Sequence, residues 1–367
     1  MINVGFLVNP IAGMGGSVGL KGTDNLYIEA LKRGAKQVAP LRAKRFLKRL
    51  MEIGVRGIFF YTAPSIMGED YLKETHYEYR VVGKIRIPTT RHDTINISRS
   101  LLGKIDILIF VGGDGTARDI LEAVDGEIPV IGVPSGVKMF SSVFTYNPEK
   151  AAELLDKYID GEVIVHNGEV FDVDEDSYRR DIIRTRLYGY LKTPYIPGYI
   201  QGSKMPLPIE DFRDEIRSIA EYVIENMERN ILYITSPGNT VKEIHRMLNI
   251  GYTLLGVDAI YNKKLVGMDL DEKTLLNIIS KYGEAKIIVS PIGGQGLIFG
   301  RGNQVLTPRI ITRVGIENII VISPIWKLQT FNCLWVDTGD IGLDSSFPRY
   351  LKVLIRYGEF KIIKRCE

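Results

Sequence analysis

The run Gly112-Gly113-Asp114-Gly115-Thr116 sets a carboxylate among glycines directly after the apolar stretch Ile105–Val111, a combination suited to phosphoryl transfer. A buried strand that ends in two glycines lets a ligand approach the backbone closely. Gly115 and Thr116 then open a helix whose N–H groups and dipole favour phosphate. Asp114 would stand beside that phosphate, accepting a proton from a hydroxyl nucleophile or orienting it. Asp is also a common helix N-cap, and capping does not exclude catalysis. Two other glycine-rich tracts fall short of known fingerprints. Gly13-Met-Gly15-Gly16-Ser-Val18 offers Val where a dinucleotide fingerprint needs Gly or Ala, and Gly19-Leu-Lys21-Gly22-Thr23 lacks the adjacent Gly-Lys-Ser/Thr of a P-loop. Lys21 stays available as a point charge for phosphate.

Other candidate chemistries are poorly supported. Asp172-Val-Asp174-Glu175-Asp176 has neither the ligand spacing nor the turning Gly of a hard-cation loop and reads as a polar turn between strands. His76, His92, His166 and His245 are scattered without paired spacing, so no metal site is expected and each reads as a surface or core residue. Trp326 and Trp335 read as packing. Cys333 and Cys366 form no CxxC pair and no disulfide framework, which points to a reducing compartment, the cytoplasm. With 47 Lys+Arg against 44 Asp+Glu, the net charge of +3 is too balanced for a nucleic-acid or membrane-surface partner. The N-terminus lacks the basic region of a signal peptide, no apolar run approaches ~20 residues, and no amphipathic membrane-docking stretch stands out. Small-molecule ligands are the expected partners.

The elements that must position Asp114 follow from length and periodicity. At 367 residues the chain exceeds one ordinary core, and 45% hydrophobic with 25% charged residues is globular. Short β-branched runs at Ile2–Val8, Val55–Tyr61, Tyr77–Val82, Ile105–Val111 and Val130–Val133 alternate with amphipathic stretches at Tyr27–Val38, Arg42–Ile53, Gly68–Thr75 and Asp93–Leu102. This pattern predicts an α/β fold: an N-terminal doubly wound parallel-sheet domain over residues 1–160, carrying the Asp114 turn. Strand-like alternation through Tyr199, a helix near Ile209–Met227 and further short strands predict a mixed, β-rich second domain over 161–330. The last segment, 331–367, reads as strands that return to the first domain.

Gly-Gly-Asp-Gly-Thr resembles the signature of the NAD kinase/diacylglycerol kinase superfamily. Asn9-Pro10-Ile-Ala-Gly13-Met-Gly15-Gly16 looks like the Asn-Pro motif of diacylglycerol-type kinases, and Ser236-Pro237-Gly238-Asn239-Thr240 is similar to the Thr-Pro-Thr-Gly-Ser-Thr loop of NAD kinases. Together with Gly132-Val-Pro-Ser-Gly-Val-Lys138-Met-Phe and Ser290-Pro-Ile-Gly-Gly-Gln-Gly-Leu-Ile-Phe-Gly-Arg-Gly-Asn303, the chain resembles the ATP-NAD kinase/AcoX branch over most of its length. The resemblance implies a kinase that moves the γ-phosphoryl of ATP, as its Mg²⁺ complex, or of polyphosphate onto the 2′-hydroxyl of the adenosine ribose of NAD, giving NADP. It implies Asp114 as the catalytic residue. Asn9, Gly13, Gly15, Gly112, Gly113, Gly115 and Thr116 would cradle phosphates, with Lys138 balancing charge and Ser236, Asn239 and Thr240 gripping nucleotide from the second domain. Asn9, Asp114, Ser135, Asn239 and Thr240 are then expected to converge on one interdomain cleft, in a protein that forms a homo-oligomer. No Asn in the sequence is followed by Glu, so the Asn-Glu pair that holds the substrate nucleotide in NAD kinases is absent. Two alternatives stay open: a kinase of another small hydroxyl-bearing metabolite, and a non-catalytic nucleotide-binding regulator, which an intact Asp114 disfavours.

Overall fold

In the computed structural model, the described residues are 1–22, 26–137, 139–173, 177, 181, 184–202 and 213–367. The first sheet holds five parallel strands, β1 (Ile2–Val8), β2 (Ile58–Thr62), β3 (Glu78–Val81), β4 (Ile107–Gly112) and β5 (Val130–Pro134), in the order β3-β2-β1-β4-β5. Every residue of β4 is buried, as a parallel strand covered on both faces requires. On one face Phe6, Phe46, Phe60, Leu154 and Leu155 bring in the helices Ala39–Glu52 and Pro148–Ile159. On the other, Leu7, Phe110, Ile95, Leu101, Ile120 and Val124 bring in Arg91–Leu101 and Asp114–Val124. The domain is doubly wound. Its strand order reverses at β1, so a crevice opens beyond the carboxyl ends of β1 and β4.

An antiparallel ribbon, β6 (Ile164–Val173) and β7 (Thr185–Tyr195), buries Val170 and Leu191 against the helix Asp114–Val124. The second sheet has seven strands in the order β10-β9-β8-β11-β13-β15-β16. Its centre, β8 (Leu232–Thr235), β11 (Ala285–Val289), β13 (Ile319–Ile322) and β15 (Tyr350–Arg356), is parallel. Antiparallel β9 (Val257–Tyr261) and β10 (Lys264–Leu270) close one edge and β16 (Glu359–Lys364) the other. Helices Arg213–Glu225 and Asn239–Met247 cover one face of this sheet, and Glu272–Tyr282 and Pro308–Val314 the other. A short parallel pair, β12 (Leu297–Phe299) and β14 (Trp335–Val336), lies apart.

Two expectations need correction. Of the C-terminal strands, β15 and β16 join the second sheet, whereas β14 meets the first domain, with Trp335 stacked on Tyr146 and Asp337 paired with Arg42. β15 pairs with β13, and Val353 and Leu354 bury against the two cores of the second sheet. Cys333 and Cys366 are a disulfide with Cα atoms 5.2 Å apart, because the β15–β16 hairpin carries the chain end back to the segment before β14. Among the described residues, no helix is long and apolar enough to cross a membrane.

Candidate active site

Beyond the carboxyl ends of β1 and β4 lies a cavity of about 420 Å³, lined by the turns after these strands and by Gly136 and Val137 of the loop after β5. Asn9, Gly13, Gly113, Asp114, Gly115 and Thr116 all line it. The Asn9 side chain ties the two turns together, its Nδ2 donating to Thr116 Oγ1 at 2.9 Å. Gly13 has φ +81°, and a Cβ there would lie 1.9 Å from the Ser135 carbonyl oxygen, so the turn admits only glycine. A Cβ on Gly113 would stand 3.0 Å from Gly136 Cα, at the wall of the cavity. Gly112 and Gly15 lie behind the lining, where a Cβ would press on Thr116 and on the Gly22 carbonyl.

Asp114 is not the helix cap. The N-cap is Gly113, which has no side chain to satisfy the first-turn N–H groups, leaving them for an anionic ligand. The Asp114 carboxylate instead reaches across to the next loop. Phe140 N donates to Oδ2 at 2.7 Å, while Ser141 N and Oγ donate to Oδ1 at 3.0 and 2.7 Å. Burial pushes this carboxyl up to about 7 against those three bonds, and the nearby Asp172 charge adds to the rise. The opposite wall is ionic. Arg118 pairs with Asp172 at 2.5 Å and Arg91 with Asp119 at 3.1 Å, and burial raises the Asp119 carboxyl too.

A strand–glycine turn–helix unit with a buried aspartate at the edge of the crevice is thus in place, and comparison with known families agrees with it. Residues 4–163 match the ATP-NAD kinase N-terminal domain, and residues 228–365 match the ATP-NAD kinase C-terminal domain. The chain belongs to the ATP-NAD kinase family. A solved structure described as the S. aureus MnaA-UDP co-structure aligns over 92% of this chain and 75% of its own at 10% identity, but its TM-score of 0.22 gives it no weight. No curated protein matches the chain.

Against this family frame, several residues stand elsewhere than the sequence suggests. Ser236, Asn239 and Thr240 do not line the cavity. Gly238 N bonds to the Leu254 carbonyl, and Leu254 and Leu255 pack on Phe140 and Val173, so the second-domain turn sits one layer behind the cavity wall. Ser236 and Thr240 are buried, and Asn239 Oδ1 accepts from Arg246. Ser135 is also buried, its N donating to the Gly112 carbonyl. Lys21 Nζ lies 3.1 Å from both Asp181 and Asp269, pinning the glycine turn to the second domain. Asp172, expected in a polar turn, ends β6 and lines the cavity. Lys138 and Asp174–Asp176 lie outside the described residues. Sequence reasoning missed Ser141, Arg118 and Arg91. Arg118 alone left a signal, four residues beyond Asp114 on one helix face. Among the described residues, no group of three His, Cys, Asp or Glu side chains is arranged to hold a metal ion.

Proposed function

We propose that this ATP-NAD kinase family member moves the γ-phosphoryl of ATP, or of polyphosphate, onto the 2′-hydroxyl of the adenosine ribose of NAD, giving NADP. The observation that carries this reading is Asp114: a buried carboxylate, fixed by three donors, facing a cavity beside an uncapped helix N-terminus. Phosphoryl transfer needs mainly positioning and charge neutralisation. Backbone N–H groups of the Gly113–Thr116 turn would face the phosphates, and the Asn9–Thr116 bond would keep the Gly13 turn in register with them. Mg²⁺ enters with the triphosphate as part of the substrate and neutralises its charge. Asp114 takes the ribose hydroxyl proton late in a loose transition state, and its raised pKa brings it closer to a useful base near neutrality than an exposed carboxylate.

One observation favours a second acceptor class. The Asn-Glu pair is absent, and Asp172 comes from a ribbon lying between the two family-matched stretches. Another small hydroxyl-bearing metabolite is the competing substrate. A coupled assay of purified protein with Mg²⁺, ATP and NAD, NADH, acetoin or diacylglycerol separates the two. NADP formation with NAD as the best acceptor is expected, and turnover of another acceptor with none of NAD would overturn the assignment.

A further inference from the structure

The Ser290–Asn303 run has no role in the cradle just described, yet it and the residue that follows reach the loop that holds Asp114. Gln304 Nε2 donates to the Gly136 carbonyl at 3.0 Å, Gly302 N to Val137 at 2.9 Å, and Gln295 Nε2 to Met139 at 3.0 Å. From beyond the ribbon, Gln201 Nε2 donates to the Ser141 carbonyl at 3.2 Å. Four carbonyls of one loop are thus held from outside it, and the same loop supplies the N–H groups of Phe140 and Ser141 to Asp114.

Gln295 differs from the other three in the peptide it holds. The Met139 carbonyl and the Phe140 N–H belong to one planar unit, so a donor on the oxygen draws density from the nitrogen and strengthens the N–H as a donor. That N–H makes the 2.7 Å bond to Asp114 Oδ2. Gln295 is buried and does not line the cavity, and its side chain reaches Asp114 through this peptide.

We propose that Gln295 is a positioning residue for Asp114, acting through the Met139–Phe140 peptide, so that the second domain sets the reactive carboxylate of the first. The proposal rests on the reading of Asp114 as proton acceptor. Among the described residues, the charged groups acting on Asp114 include Asp172 of β6, itself paired with Arg118, and Arg301 of the loop after β12. None of them changes when Gln295 does. Loss of its amide weakens the bond to the ionised carboxylate and moves the Asp114 midpoint to higher pH.

The test compares the parent with Gln295→Met, which keeps the volume, and Gln295→Asn, which is too short to reach the carbonyl and adds no bulk. Side-chain ¹³C carboxyl NMR of aspartate-labelled full-length protein, with Asp114 assigned by its absence in Asp114→Asn, reads the midpoint without turnover. Both variants should fold, move the midpoint up by about one pH unit and lower kcat at pH ~6 about tenfold, with KM for ATP unchanged. An unmoved midpoint, a raised KM at constant kcat, or failure of both variants to fold overturns the proposal. A parent that makes no NADP while Gln295→Met still shifts the midpoint refutes the acceptor reading alone. A parent that makes NADP with an unmoved midpoint refutes the positioning role alone.

Discussion

The turn after β4 and the turn after β8 are the same device in two domains. Each follows a parallel strand, and each opens a helix on a glycine cap without a side-chain acceptor, Gly113 in one and Gly238 in the other. Each also has a buried aspartate beside it, Asp114 or Asp258. They differ in what answers the carboxylate. Asp258 Oδ2 takes an ion pair from Lys242 Nζ at 2.8 Å with both side chains fully buried, and Thr253 Oγ1 donates to Oδ1. Thr235 holds the lysine from the other side, and His245 bonds to Thr235 in turn, its ring pushed down to about 4 mainly by burial. Asp114 receives three neutral donors and faces a cavity. A carboxylate neutralised from within becomes structure, whereas one left to be neutralised by its surroundings is available for chemistry. A strand, a glycine turn and a helix therefore do not make a site by themselves.

The sharpest way to break this comparison is to substitute both aspartates. Asp114→Asn should lower turnover by ~10²–10⁴ while the circular dichroism spectrum stays that of the parent, since the amide oxygen can still accept from Ser141 but no group takes the proton. Activity within a few-fold of the parent would make Asp114 as structural as its counterpart. Asp258→Asn should do the reverse, stranding a buried Lys242 charge at a cost of about 3–5 kcal/mol, seen as a lowered unfolding midpoint in denaturant. Unchanged stability would mean that the second turn is not held by its ion pair.

Smaller effects sharpen the contrast. Gly113→Val adds a branched side chain where Cβ alone already meets Gly136, and should weaken ATP binding about tenfold or more by calorimetric titration. The same substitution at Gly238, where a Cβ meets nothing within 4 Å, should leave nucleotide affinity unchanged, although φ +111° makes it cost stability. Equal losses of affinity at both glycines would contradict the separation of the turns. The smallest effect concerns stability. The folded Asp114 carboxyl sits at about 7, above its unfolded value of ~3.9, so its contribution is full below the unfolded pKa and is lost as pH rises through about 7. The parent should therefore lose Tm relative to Asp114→Asn between pH ~5 and ~8 in differential scanning calorimetry. Parallel curves would place Asp114 in solvent-like surroundings.

Much of the fold was legible because parallel strands under helices are nearly continuous apolar runs. β1 is found at Ile2–Val8 as the sequence predicts, and β4 is displaced by two residues at its start. Which sheet β15 and β16 join was not legible, since strand pairing across two domains leaves no mark in local periodicity. That Asn9, Gly13 and Asp114 share one cavity could be read because Asn9 and Asp114 sit in glycine-rich turns after two apolar strands, and such turns meet beyond the carboxyl ends of a parallel sheet. The supports of Asp114 could not. Gln295 lies 156 residues from the carbonyl it holds, and Ser141 looks like any loop serine until Asp114 is seen to fold onto it. Asp172 was hidden in an acidic run, although the alternation of β6 carries it inward. The Cys333–Cys366 pair was missed because two cysteines 33 residues apart show nothing of the hairpin that brings them together.

The pH dependence of kcat for NADP formation at saturating Mg²⁺-ATP and NAD, measured in the parent and in Asp114→Asn, tests the proton-accepting role of Asp114 most directly. If Asp114 is the proton acceptor, the parent's kcat should rise with pH to a plateau above about 7, falling about tenfold for each pH unit below it, and the residual activity of Asp114→Asn should lack that limb. A parent profile flat from pH ~5.5 to ~8, or a limb that survives in Asp114→Asn, would contradict it.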